Sequence, residues 1–222
     1  MQKYKLGLVD PPWTYDNAQQ NDPARGGIIY PTLTMEELYN IPLGSAFEDN
    51  SILVVWVTTP KLIDSFYVGK EKVGGSKQGH SPLSIINQWG FRPVTALFAW
   101  IKTNKRGLAI YEDTNLEEYD EYYSGLGRYT NSNIELAIVA RRGKGLPRLD
   151  KTVKQLIIAP IGAHSAKPQE QYSRLHRLYG DVPRIELFAR KENSPPVGWD
   201  ATGLDYDGID VREWIHAYTT KS

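Results

Sequence analysis

An α/β sandwich in a single domain is the fold class the sequence predicts, and three observations carry it. Ser51-Ile52-Leu53-Val54-Val55-Trp56-Val57 is apolar almost throughout and rich in β-branched residues, the mark of a strand covered on both faces, as in a parallel sheet. Such runs alternate with helical segments along the chain, so helices should cover the sheet and ligands should meet the carboxyl ends of its strands. The 222 residues, 41% of them hydrophobic, are enough for one domain with a substantial core. One domain over residues 1–222 is expected, with loop insertions near 14–31, 69–80 and 104–130.

The elements follow in order. Tyr4 to Val9 is a short apolar run that ends in Asp10-Pro11-Pro12-Trp13. Thr14 to Pro31 is polar, without helical or strand periodicity, and reads as a long loop beside a candidate site, a lid. Thr34 and Glu37 have capping-box spacing for a short helix that Pro42 stops. Lys61 to Gly90 is helical in pattern but interrupted by the glycine-lysine stretch Val73 to Gly79. Ser81 to Trp89 is the helix that returns to the sheet, and Gly90 ends it. Strands are expected at Val94–Ile101, Asn133–Ala140 and Gln155–Ile158. An amphipathic helix over Gln169–Tyr179 places Tyr172, Leu175, Leu178 and Tyr179 on one face, and Gly180 closes it. Arg184 to Arg190 reads as a strand with Glu186, Phe188 and Arg190 sharing a face. Pro195 to Gly203 is turn-rich.

Charge is balanced overall, with Lys+Arg and Asp+Glu both 26, so attraction to nucleic acid must come from local patches. The acidic run between Tyr111 and Tyr123 reads as a solvated face. The basic run Arg141, Arg142, Lys144, Arg148, Lys151 and Lys154 lies in a Gly- and Pro-containing turn that lets cations approach a phosphate backbone, which makes Arg141 and Arg142 substrate-binding candidates. The chain has no cysteine, which excludes disulfides, thiolate-bound zinc and any cysteine nucleophile. Its four histidines are scattered, and no metal centre is expected. The amino terminus lacks a signal-peptide pattern and no apolar run approaches membrane-spanning length, so a cytoplasmic protein without membrane contact is expected.

Asp10-Pro11-Pro12-Trp13 is the candidate reaction centre. Each proline fixes φ, and the first also restrains Asp10, so the carboxylate and the neighbouring carbonyls are held in a pre-set geometry. A carboxylate and a carbonyl together can accept both hydrogens of an exocyclic amine, and Trp13 could stack on a base. The competing reading is a Pro-Pro turn with a core tryptophan. At Glu186 the physical argument is different: a glutamate inside a buried strand is costly unless it is paired or bound to a ligand.

Asp10-Pro11-Pro12-Trp13, Tyr30-Pro31-Thr32, Asn133-Ile134-Glu135-Leu136, His164-Ser165-Ala166-Lys167-Pro168, Arg184 to Arg190, and Gly198-Trp199 with Gly203 occur in this order. Together they resemble the S-adenosylmethionine-dependent adenine N6-methyltransferases that include the mRNA adenosine methyltransferases and their bacterial and phage relatives. The resemblance covers most of the chain. It implies a Rossmann-like methyltransferase sandwich, circularly permuted, with a mostly parallel sheet and one antiparallel strand. It implies that Asp10 holds the target amine next to the cofactor, that Pro11 and Pro12 present their carbonyls, and that Trp13 and Tyr15 lie against the base. By the same resemblance Lys167, Glu186, Arg190 and Asn193 contact S-adenosylmethionine, and Glu135 lies near the acceptor base. Relatives usually carry Asn and then Gln or Glu after the glycine matching Gly203; here Leu204 and Asp205 stand there, and Asp205 replaces part of those contacts. The implied function is methyl transfer to adenine N6 in nucleic acid, with DNA favoured over RNA because the chain is compact, and an oligomer is left open. The alternatives are a cytosine N4 methyltransferase, which more often has Ser where Asp10 stands, and a non-catalytic nucleic-acid-binding subunit.

Overall fold

The structure, a computed structural model, describes residues 2–14, 31–66, 79–104, 122–123, 125, 129–162 and 166–220. Tyr15, most of the loop expected as a lid, the insertion at 73–78 and most of the acidic run lie outside these residues.

Seven strands form one sheet: β1 (Tyr4–Val9), β2 (Phe47–Thr58), β3 (Arg92–Thr103), β4 (Ile134–Arg142), β5 (Leu156–Pro160), β6 (Arg184–Leu187) and β7 (Asp200–Thr202), in the spatial order β5-β3-β4-β2-β1-β6-β7. β4 runs antiparallel to both of its neighbours, and every other pairing is parallel. The expected mostly parallel α/β sheet with one antiparallel strand is therefore present. β1, first in sequence, lies inside the sheet between β2 and β6.

β2 explains the layering. Leu53, Val54, Val55, Trp56 and Val57 are all 0% exposed, because alternate residues face opposite cores. Leu53, Val55 and Val57 pack with α1 (Met35–Tyr39), α3 (Pro82–Gln88) and α5 (Val211–Thr220). Val54 and Trp56 pack with Tyr172, Leu175 and Leu178 of α4 (Glu170–Tyr179) on the other face. A shorter helix, α2 (Thr59–Asp64), follows β2 directly. Local signals set the boundaries. Thr34 and Glu37 form the capping box of α1, and Ser81 and Ser84 that of α3, where Pro82 occupies the first turn. Gly90 follows α3 with φ +85°, a conformation that costs a glycine little.

Two expectations are corrected. The strand at Arg184 stops at Leu187, because Phe188 takes φ +60° and breaks the pleat; Glu186, Phe188 and Arg190 do not share a strand face. The turn-rich tail contains β7, paired in parallel with β6. Beyond it lies α5, whose Val211, Ile215 and Tyr218 are buried.

Candidate active site

Asp10 stands one residue past β1, where the register places Val9 between Val55 of β2 and Leu187 of β6. The carboxyl ends of β1 and β6 thus meet beside this carboxylate, while β2 runs on to Thr58. The Pro11 carbonyl accepts from the Trp13 N–H at 2.8 Å, and the Pro12 carbonyl accepts from Leu33 N–H at 2.9 Å. The Thr14 hydroxyl donates to the Leu33 carbonyl at 2.7 Å, tying the segment down a second time. Each proline carbonyl keeps a second lone pair.

Trp13 does not offer a face to a ligand. It is 4% exposed within the core, and its Nε1 donates to the Trp56 carbonyl at 3.0 Å. The base-stacking role expected for it is corrected: an indole on the buried side of the motif anchors Asp10-Pro11-Pro12 to β2.

A chain of alternating charges leads away from Asp10. Lys167 Nζ lies 2.8 Å from Asp10 Oδ2 and 3.1 Å from Glu135 Oε1. Glu135 Oε2 in turn lies 2.9 Å from Lys102 Nζ. Burial alone would raise the Glu135 carboxyl, but Lys167 and Lys102 more than offset it and hold it down at about 2. Burial works against the Lys167 ammonium, yet Asp10 and Glu135 outweigh that and raise it above the usual lysine value. Lys167 just precedes α4, and its ammonium lies 5.8 Å from the Trp56 ring. Trp56 Nε1 donates to Gln171 Oε1 at 2.7 Å, which fixes the first turn of α4 against the sheet. The resemblance gave Lys167 and Glu135 separate contacts; in the structure they form one network with Asp10. Sequence reasoning missed Lys102. The signal was period two: Lys102 follows buried Trp100 on the α4 face of β3 as Asp10 follows buried Leu8 on β1.

On the other side of Asp10, Glu186 is 5% exposed and its register partner is Leu8. Its Oε2 accepts from the Tyr172 hydroxyl at 2.6 Å. Burial pushes the Glu186 carboxyl up to about 7, against the lowering effect of the Tyr172 hydrogen bond. Tyr172 also reaches the Asn193 carbonyl at 3.2 Å, and Asn193 Oδ1 accepts from Gln169 Nε2 at 2.6 Å. Asn193 is therefore buried in the α4 junction beside Glu186. Gly203 is required by close approach: a Cβ there would lie 2.5 Å from the Ala189 carbonyl oxygen and 2.7 Å from its nitrogen. The Ala189 N–H donates to Thr202 and Lys191 N–H to Asp205, at 3.0 and 3.2 Å. These bonds fold the segments after β6 and β7 together, so Arg190, Leu204 and Asp205 line one cleft with Phe188 and Pro12. The cleft connects the Pro-Pro backbone to Arg190 and Asp205.

Arg141 and Arg142 are not brought to this site. Because β4 is antiparallel, Glu135 pairs with Thr58 at the carboxyl end of β2, whereas Arg141 and Arg142 pair with Ile52 and Ser51 near its start. At about 3.3 Å per residue that is roughly 20 Å along the strand. Arg142 Nη1 donates to the Gly44 carbonyl at 2.5 Å and its Nη2 lies 3.8 Å from Asp49, so it braces the segment before β2. Arg141 is exposed opposite Arg92. They are candidates for a phosphate backbone, and the direction of β4 sets them at the far end of that strand from Asp10. Tyr15 lies outside the described residues.

The chain is 28% identical over 220 residues to the type II methyltransferase M.MunI of Mycoplasma sp., covering 91% of this chain and 78% of the relative. It is 26% identical over 211 residues to the human N(6)-adenosine-methyltransferase catalytic subunit METTL3, covering 94% of this chain but 29% of that protein. The zebrafish METTL3 subunit gives 28% over 214 residues, with 94% and 29% coverage. The sequence model of the MT-A70 family matches residues 4–205, which span every strand and the whole of the charge network, and the chain belongs to that family.

Proposed function

We propose that the protein transfers a methyl group to the exocyclic N6 amine of adenine in nucleic acid. The observation that carries this reading is the placement of Asp10. Its carboxylate, oriented by Lys167 at 2.8 Å, stands at the carboxyl ends of β1 and β6 and next to a cleft shared by Pro12, Arg190 and Asp205. The names of the relatives support the same chemistry, since one is an N(6)-adenosine-methyltransferase catalytic subunit and another a type II methyltransferase.

The residues present suit S-adenosylmethionine as the methyl donor. Glu186 is a buried carboxylate, 5% exposed, that accepts from the Tyr172 hydroxyl through Oε2 at 2.6 Å and has acceptor capacity to spare. Such a group calls for a donor, and a ribose diol supplies two. Arg190 and Asp205 in the adjoining cleft offer a cation and an acceptor to the remaining polar groups. When bound, the sulfonium supplies an electrophilic methyl.

The chain's own residues then account for positioning. The N6 lone pair of adenine is delocalised into the ring, so the amine is a poor nucleophile. Asp10 Oδ1 and the second lone pair of the Pro11 or Pro12 carbonyl accept its two hydrogens, which favours a more tetrahedral nitrogen with its lone pair directed outward. Because the Pro-Pro backbone and the Lys167 contact hold these acceptors in place, little freedom is left to lose on binding. Asp10 or water takes the proton released on transfer. In duplex DNA the base must first leave the stack, at a cost of a few kcal/mol.

We infer DNA rather than RNA as the polymer from the likeness to the Mycoplasma type II methyltransferase, 28% identical over 220 residues. Transfer of a labelled methyl group to defined DNA and RNA oligonucleotides, followed by nucleoside analysis, tests both polymer and base. N6-methyldeoxyadenosine is the expected product. Label in N4-methylcytosine, or none in either polymer, refutes the proposal.

A further inference from the structure

The buried charge at the site does not balance at Lys167. One ammonium between the Asp10 and Glu135 carboxylates leaves a net negative charge in a space where Glu135 is 4% exposed and Lys167 is 6% exposed. Lys102 completes the neutral set from the far side of Glu135, at 2.9 Å. Its own position is fixed by the sheet. The Lys102 N–H donates to the Asn133 carbonyl at 2.8 Å, and its carbonyl accepts from the Tyr123 N–H at 3.0 Å. Its ammonium also lies 4.9 Å from the Trp100 ring, and Trp100 Nε1 is held by the Ala159 carbonyl at 2.9 Å.

We propose that Lys102 is a positioning residue for methyl transfer: through Glu135 it fixes Lys167, and through Lys167 it fixes the Asp10 carboxylate that receives the target amine. The proposal rests on the methyl-transfer reading above. Its physical basis is competition for one ammonium. With Lys102 present, Glu135 divides its two oxygens between two cations, one oxygen each. Without Lys102, Glu135 has only Lys167 to offset its burial, so it draws that ammonium away from Asp10 or takes up a proton. Either result leaves Asp10 less firmly oriented.

The groups facing Glu135 are few among the described residues. Lys102 approaches from β3, Lys167 from the segment before α4, and Asp10 stands behind Lys167 at the end of β1. The register partners of Glu135 are Thr58 on β2 and Trp100 on β3, neither of which titrates in the working range. Protonation of Glu135 is therefore governed mainly by the two lysines.

The test compares the wild type with Lys102→Met, Lys102→Gln and Lys102→Arg, measuring kcat, KM and their dependence on pH. Lys102→Met is expected to lower kcat about tenfold or more while the KM for S-adenosylmethionine changes by less than about threefold. The acid limb of its pH profile should move up by about one unit or more as Glu135 loses one of its cations. Lys102→Arg should restore both. A folded Lys102→Met or Lys102→Gln variant with the wild-type acid limb and kcat overturns the proposal. Should Lys102→Met fail to fold, Lys102→Gln is read in its place, since it keeps a donor without the charge. The carboxyl carbon of Glu135, followed by NMR through an acid titration, gives a readout independent of turnover. A midpoint in Lys102→Gln equal to that of the wild type overturns the proposal even if no methyl acceptor is found. A wild type that transfers no methyl, with a raised Glu135 midpoint in the variant, defeats the methyl-transfer reading and leaves the Lys102–Glu135 coupling standing.

Discussion

β4 carries charge at both ends, and the two ends behave differently. At its amino end Glu135 is buried, bonded to Lys102 and Lys167, and held ionised down to a pH of about 2. At its carboxyl end Arg141 is exposed opposite another arginine, and Arg142 is spent on backbone carbonyls. In sequence the arginine end looked more like a ligand site, since cations cluster there. The structure separates density of charge from its use. Paired, desolvated charge gathers at the carboxyl ends of parallel strands, at the proposed reaction centre, while the exposed run lies at the other end of β4.

The strongest way to break this contrast is Asp10→Ala. It should abolish labelled-methyl transfer while leaving the circular dichroism spectrum unchanged, and near-normal methylation would defeat the site assignment. Glu135→Gln comes next. Breaking a buried ion pair costs about 3 kcal/mol or more, so the urea midpoint should fall together with kcat. The same residue sets an acid limit. A carboxyl lowered from 4.5 to about 2 in the fold lends stability that is fully present above 4.5 and is lost as pH falls through about 2.

Glu186 has the opposite sign. Its carboxyl is raised from 4.5 to about 7, so the folded state holds its proton more tightly, and stability declines as pH rises from 4.5 through 7. The decline amounts to about 3 kcal/mol. Urea unfolding should show this slope in the wild type and lose it in Glu186→Gln, which should also bind S-adenosylmethionine about tenfold more weakly. The smallest effects belong at the far end of β4. Arg142→Ala should cost about 1 to 2 kcal/mol of stability through its lost carbonyl contacts, with kcat unchanged. Arg141→Ala should leave both stability and kcat within error, and a fall in its kcat would mean that the basic end reaches the reaction after all.

The legible parts of the chain were those where one residue's environment follows from its neighbours in sequence. The apolar run of β2, the capping box at Thr34, the helix ended by Gly90 and the rigid Asp10-Pro11-Pro12 stretch all follow from local chemistry. The cost of burying a carboxylate singled out Glu186, whereas Lys167 and Glu135 came through the family resemblance. What remained hidden depended on direction and register. The antiparallel course of β4 sends Arg141 away from Asp10, and no local feature of Asn133 to Ala140 reveals it. β7 is three residues long, too short for any period to emerge. Phe188 takes a left-handed backbone that sequence rules assign to glycine, which shortened β6. The role of Trp13 turned on which side of the motif is buried. The Lys102–Glu135 pair crosses between two strands, and finding it required knowing which rungs face each other.

The pairing of Leu8 with Glu186 has a consequence for the time at which the site can exist. The strand bearing Asp10 precedes the other six of the sheet in sequence, yet its neighbour on one side comes from the last third of the chain. A chain emerging from the ribosome at about 5 to 20 residues per second holds an unpaired β1 edge until β6 appears. Asp10 meets Lys167 and the Glu186 side of the site only after that long closure. A truncated or stalled product therefore exposes an apolar, aggregation-prone edge, and the reaction centre is assembled only in chains that have passed this point.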